Sequence, residues 1–237
     1  MKLNECAEFI KAEIDKATAL LKSGKQLQCK KAFGILHNIA QINKEEFSKN
    51  TKAVVDYADC FYNGKGVAQN LEKAFEWYAI AAEKNFAVAL RKRGICYFYG
   101  KGCEKNYDLA TADFTQAVDE GDILANLYLA VCFDYGMGVK QDYEEALKYY
   151  QAAAKKGYIT AKRRLGDYYL KGIASEINEE KAIELYHECI AHGDPEAMLR
   201  LANCYYEGQG VTKHSIKGSC YALRASGEKK LPMATKI

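Results

Sequence analysis

From residue 53 to residue 226 small, aromatic and polar positions recur with a fixed spacing of 36. A Gly-x-Gly pair stands at Gly64/Gly66, Gly100/Gly102, Gly136/Gly138 and Gly208/Gly210, and the missing fourth copy falls on Gly172/Ala174. Eleven residues before each first glycine is an alanine: Ala53, Ala89, Ala125, Ala161 and Ala197. Six before it is a small residue (Ala58, Gly94, Ala130, Gly166, Ala202), and three before it an aromatic one (Phe61, Tyr97, Phe133, Tyr169, Tyr205). At 3.6 residues per turn these positions share one side of a helix. The helix stops at a glycine able to take positive φ. This is helix A of each repeat.

Six residues after the first glycine comes Asn70, Asn106, Asp142, Asn178 or His214. The first four can accept a hydrogen bond from a free amide of the following turn and so predict an N-cap. Behind the cap, Ala74, Phe75, Tyr78, Ala81 and Ala82 follow the i, i+3, i+4, i+7 spacing of a second helix, B, echoed by Ala146, Tyr149, Tyr150, Ala153 and Ala154. Helix B ends at Asn85, Gly121, Gly157 or Gly193, residues tolerant of the left-handed conformation. Small residues let the two helices approach, and the rings fill the gap to the neighbouring repeat.

One such pair cannot cover its own apolar face, so repeats must stack and the end units must be atypical. The expected fold is all-α, a right-handed α/α superhelix of about six antiparallel helix pairs. Its boundaries are a divergent N-terminal pair over 1–52, repeats at 53–88, 89–124, 125–160 and 161–196, a last repeat or cap at 197–226, and a lysine-rich tail at 227–237. Within the first segment, Lys31-Ala32-Phe33 matches Lys73-Ala74-Phe75, and the stretch from Gln41 to Lys52 is expected as a long polar turn.

The unit Ala-x4-Gly-x2-Tyr-x2-Gly-x-Gly, followed by Asn or Asp, Lys-Ala and paired aromatics and alanines, resembles the Sel-1-like repeat, a relative of the tetratricopeptide repeat. The resemblance is close over residues 53–226 and loose over 4–50. It implies a scaffold that binds proteins or peptides on a concave face. In one branch, the Helicobacter cysteine-rich proteins, each repeat carries a disulfide. The matching positions here are Ala82/Leu90, Val118/Asn126, Ala154/Lys162 and Ile190/Met198, so that framework is absent, and the β-lactamase label of that branch is not carried over.

Composition narrows the classes further. Of the 237 residues, 49% are hydrophobic and 27% charged, and only Pro195 and Pro232 are prolines, which fits a folded chain of short helices. A net charge of +3, dispersed over the whole length, is too weak for a nucleic-acid stripe. Glutamates among the first residues interrupt any export signal, and no apolar run approaches the roughly 18 residues of a membrane span. A cytoplasmic protein with free thiols is therefore expected, monomeric unless an apolar end pair dimerises.

Cys60, Cys96, Cys132 and Cys204 share one phase, with Tyr168 in the fourth place. Successive copies lie about 10 Å apart, beyond disulfide reach, and read as small apolar side chains. His187 and His192 lie on different sides of one helix, so they cannot share a metal. Ser226-Gly-Glu-Lys229 has the Ser-x-x-Lys spacing of penicillin-interacting enzymes, without any companion motif. No catalytic machinery, cofactor site or metal site is expected.

The candidate contact residues are the helix A positions that packing does not demand. By analogy with tetratricopeptide geometry these are Arg91, Ile95, Phe98 and Tyr99, then Leu127, Val131, Asp134 and Tyr135, then Arg163 and Asp167. Tyr206 extends the set, with Tyr62, Asn63, Asn203 and Glu207. Such a face is apolar and aromatic with charges at its rim, as interface anchors are. In a rival reading Ile95, Phe98, Leu127 and Val131 merely pack between repeats. The expected function is a non-catalytic adaptor for a protein or peptide. Neutralisation of a toxin or effector is the alternative, and a β-lactam or cell-wall enzyme a remote one.

Overall fold

The computed structural model describes residues 3–227, with side chains from residue 7 onward. Those residues form thirteen helices and no strand. They are α1 (Leu3–Lys22), α2 (Gln26–Ile42), α3 (Lys44–Lys49), α4 (Thr51–Asn63), α5 (Leu71–Ala82), α6 (Ala87–Tyr99), α7 (Tyr107–Asp119), α8 (Ile123–Tyr135), α9 (Tyr143–Lys155), α10 (Ile159–Lys171), α11 (Glu179–Ala191), α12 (Pro195–Glu207) and α13 (Ser215–Ala225). The protein divides into two compact units between Ala125 and Asn126, with Met137–Val139 belonging to the first. In the first unit α1 packs on α2, α4 on α5 and α6 on α7. In the second, α10 packs on α11 and α12 on α13. The Ser226–Lys229 motif and the lysine-rich tail extend past the described residues.

Each A-to-B connection is built from the same few bonds. At the end of α6, Gly100 takes φ 68° and its N–H donates to Cys96 O. Lys101 N–H returns to that carbonyl at 2.9 Å, and Asn106 N–H donates to Tyr97 O at 2.9 Å. The Asn106 side chain then accepts from Leu109 N–H at 3.0 Å, which starts α7. Asn70, Asp142 and Asn178 repeat this arrangement. His214 does so too, its Nδ1 accepting from Lys217 N–H at 3.3 Å, so all five caps are filled and not only the four read from amide and carboxylate side chains. A filled cap of this kind is worth about 1 kcal/mol.

The second glycine answers a different demand. Gly102 has φ 77°, and a β-carbon there would overlap the backbone carbonyl of Leu71, where α5 begins. The turn of one repeat thereby seats on the start of the preceding B helix. In the degenerate copy Ala174 holds φ 50°, a strained conformation for a residue with a side chain.

The expected long turn after Gln41 is instead a helix. Asn43 caps α3 by accepting from Glu46 N–H at 3.0 Å. Phe47 is fully buried, edge-on to Tyr57 and Trp77 at 5.7 and 5.8 Å between centroids. One apolar residue among five polar ones gave too little period to show a helix. The deep burial of its ring supplies the missing driving force.

Beside this cluster, Asp56 accepts a long hydrogen bond from Thr18 Oγ1 at 3.4 Å. Burial, with Asp59 adding to it, raises its pKa above the ordinary carboxylate value. A folded-state pKa above the unfolded one means that the ionised form opposes folding, and that this cost grows as pH rises through the folded value. Asp56→Asn is therefore expected to raise the melting temperature at neutral pH. The gain should vanish when the buffer is acidified below the unfolded carboxylate range, and a gain that persists there would exclude titration as its cause.

Candidate functional site

The residues proposed from sequence do not form one class. Tyr99 and Tyr135 close α6 and α8 with rings 54% and 50% exposed, whereas Phe98, one residue earlier, is only 7% exposed. Its ring sits edge-on to Tyr107 at 5.2 Å and tilted against Phe114 at 6.2 Å. Phe98 is thus a packing residue, because one step along a helix turns a side chain by about 100°. Ile95, Leu127 and Val131 are half-buried, the last two against the apolar cluster of the second unit. Tyr206 is half-buried, its hydroxyl donating to Ser219 Oγ at 3.1 Å.

The charged members are structural. Arg91 donates through Nε to Asp122 at 2.8 Å, and Arg163 does the same to Asp194 at 3.2 Å. Both carboxylates also accept backbone amides at the start of the next A helix, so each arginine ties its helix to the cap of its successor. In the two repeats without this pair, the same positions hold Val55 with Phe86 and Leu127 with Tyr158. Salt pair and apolar pair alternate along the array.

A second layer was not anticipated. Tyr78 donates its hydroxyl to Asp59, which also receives Lys92 Nζ at 2.7 Å. One hundred and eight residues on, Tyr186 donates to Asp167 at 2.8 Å, and Arg200 Nε donates to the same carboxylate at 3.0 Å. Asp167, expected at a binding rim, is the buried centre of that triad. Asp134 is likewise buried, accepting from Tyr150 at 3.0 Å and Tyr168 at 2.8 Å. Burial and this carboxylate push both phenols well above their ordinary pKa, so they stay protonated and able to donate. The signal was present in the 36-residue register: aspartate, tyrosine and a cation occupy fixed phases in two of the repeats.

A cleft of about 290 Å³ opens in the second unit between Tyr135, Tyr143, Arg164, Lys171 and Ile173, floored by the acidic pair Asp134 and Asp167. The buried thiols are poor nucleophiles. Burial pushes those of Cys60 and Cys96 up to about 12 and that of Cys204 up to about 11, leaving them protonated and inert at neutral pH. His187 and His192 are exposed. Among the described residues no group of three or more His, Cys, Asp or Glu side chains could hold a metal ion, and no helix is long and apolar enough to cross a membrane.

Helix pairs recurring every 36 residues, each with a glycine closing helix A and a side-chain cap opening helix B, define a helical repeat protein. The family model of the Sel1 repeat matches residues 51–86, 87–122, 123–158, 159–194 and 195–217, so the chain belongs to the Sel1 repeat family. A Sel1 repeat protein from Oxalobacter formigenes superposes with a TM-score of 0.77 at 26% identity, over 90% of this chain and 82% of that one. A protective antigen of uropathogenic Escherichia coli with an SLR fold gives 0.76 at 25% identity over 96% of this chain, which spans 48% of that protein. An immunity protein from Pseudomonas aeruginosa gives 0.52 at 20% identity, over 95% of this chain and 86% of that one. Comparison with curated protein sequences gives no match.

Proposed function

We propose that this protein is a non-catalytic scaffold that holds a protein or peptide partner, with Tyr99 and Tyr135 among its contact residues. Sel1 repeat proteins are generally interaction scaffolds. The observation that carries the reading is the exposure of two tyrosine rings at the same phase of consecutive A helices, one residue before the glycine, where the adjacent Phe98 and Asp134 are buried. Tyrosine is enriched at protein interfaces because a large rigid ring buries area at low entropic cost. Arg91, Arg163 and Asp167 drop out of the contact set, since each is held in an ion pair within the array, the arginines inside their own repeats and Asp167 by Arg200 of the next. The likeness to the immunity protein, at 20% identity, speaks for a shared fold and leaves the partner open.

The test is affinity purification of the intact protein from its native cell beside Tyr99→Ala and Tyr135→Ala. Loss of the co-purifying protein at least about tenfold, with an unchanged melting curve, is the expected result for anchor rings. Equal recovery with all three proteins would overturn the contact assignment.

A further inference from the structure

The cleft in the second unit contains a cation whose counterpart has been replaced. Arg164 stands in the 36-residue register where Lys92 and Arg200 stand, and each of those meets an aspartate of the preceding A helix, Asp59 or Asp167. At the corresponding place before Arg164 is Val131. The nearby Asp134 already accepts two tyrosine hydroxyls. Arg164 has no carboxylate within ion-pair distance among the described residues, although Arg91, Arg93, Arg163 and Arg200 all do. It is half-buried, with its guanidinium over the Tyr135 ring at 5.6 Å from the centroid. A half-buried guanidinium has lost part of its water shell and gains most from a charge-assisted acceptor.

We propose that this cleft takes the carboxylate of an aspartate or glutamate residue in a partner protein, with Arg164 as its anchor, Lys171 as a second cation and the rings of Tyr135 and Tyr143 flanking it. The two rings, 50% and 43% exposed, line the cleft beside Arg164, whose side chain also hydrogen-bonds Tyr135. The terminal carboxylate of a polypeptide is the other source of this group, but capture of a terminus uses a nest of free backbone amides. Here Arg164, Asp167, Tyr168 and Lys171 all lie on α10, where interior amides are held by helical hydrogen bonds. The same repeat also departs from its siblings at Tyr168, in the cysteine phase, and at Ala174, strained where the others carry glycine. Departures that cost stability in an otherwise regular array are where a function is expected.

This inference rests on the scaffold reading, and its test does not require the partner. The probe is N-acetyl-L-glutamate N-methylamide, titrated into the full-length protein while the Arg164 Nε–Hε resonance is followed by NMR. A saturable shift is expected. The glutamine counterpart, neutral and of the same shape, should give none, and Arg164→Gln should weaken binding about tenfold or more. Arg164→Gln also gives up the contact with the Tyr135 ring, so its melting curve is recorded beside its binding to show that it folds. If that variant fails to fold, the comparison of the two probes on the unaltered protein still decides. Equal shifts from both probes, no saturable shift, or undiminished binding to Arg164→Gln would overturn the proposal. N-acetyl-L-glutamine, which carries only an α-carboxylate, binding as well as the glutamate probe would overturn the assignment to a side-group carboxylate. A partner found by purification that ignores Arg164→Gln would refute the cleft and spare the scaffold.

Discussion

Gly102→Ala is expected to destabilise the protein by about 3 kcal/mol, the left-handed backbone supplying roughly 1–2 kcal/mol and the overlap with the Leu71 carbonyl the remainder. The clash is with backbone at the start of α5, so no rotamer change relieves it. Urea unfolding followed by circular dichroism measures the loss. The degenerate copy offers the reverse experiment. Ala174→Gly relieves φ 50° and should gain about 0.5–1 kcal/mol after the extra backbone entropy of glycine is subtracted. Its neighbour Ser175 holds a buried hydroxyl with no partner among the described residues, in the phase that carries Val67, Val139 and Val211 elsewhere, so Ser175→Val should add to the gain. A Gly102→Ala loss below about 1 kcal/mol, less than the backbone strain by itself, would show that the turn does not seat on the preceding B helix.

Phe98→Ala should cost about 3–4 kcal/mol, as loss of a buried ring does, while Tyr99→Ala stays below about 1 kcal/mol because its ring is half in water. The two residues are adjacent and their rings touch edge-on at 4.9 Å, so a joint replacement cannot separate packing from recognition. Single replacements can. Equal losses in urea unfolding would mean that Tyr99 is also core and would remove it from the contact set.

The architecture was legible from sequence because its determinants are local and repeated. Gly64 and its counterparts end each A helix, Asn70 and its counterparts begin each B helix, and Ala53 and Ala58 with their counterparts are buried. The contact face was not legible to the same depth. Phe98 and Tyr99 differ by one step, which a repeat without neighbouring coordinates does not resolve. Asp134 and Asp167 among apolar neighbours suggested a solvent-facing rim, since carboxylates are rarely buried unpaired, yet phenol hydroxyls from helix B pair them. Arg91 and Arg163 looked unengaged because the carboxylates that hold them lie 31 residues away. Those couplings exist only once the hairpins stack, although their alternation is written in the register.

The triads also set which module can follow which. Asp59 is answered from the following module by Lys92, and Asp167 by Arg200. A tandem duplicate of 159–194 would be self-compatible, since its own Arg164 would fall where Arg200 now stands. A tandem duplicate of 51–86 would set Asp56 of the copy against Asp59 of the original, two carboxylates where a cation belongs. Growth of the array by copying single modules is thus permitted at some joins and penalised at others, and the succession of modules carries a charge grammar of its own.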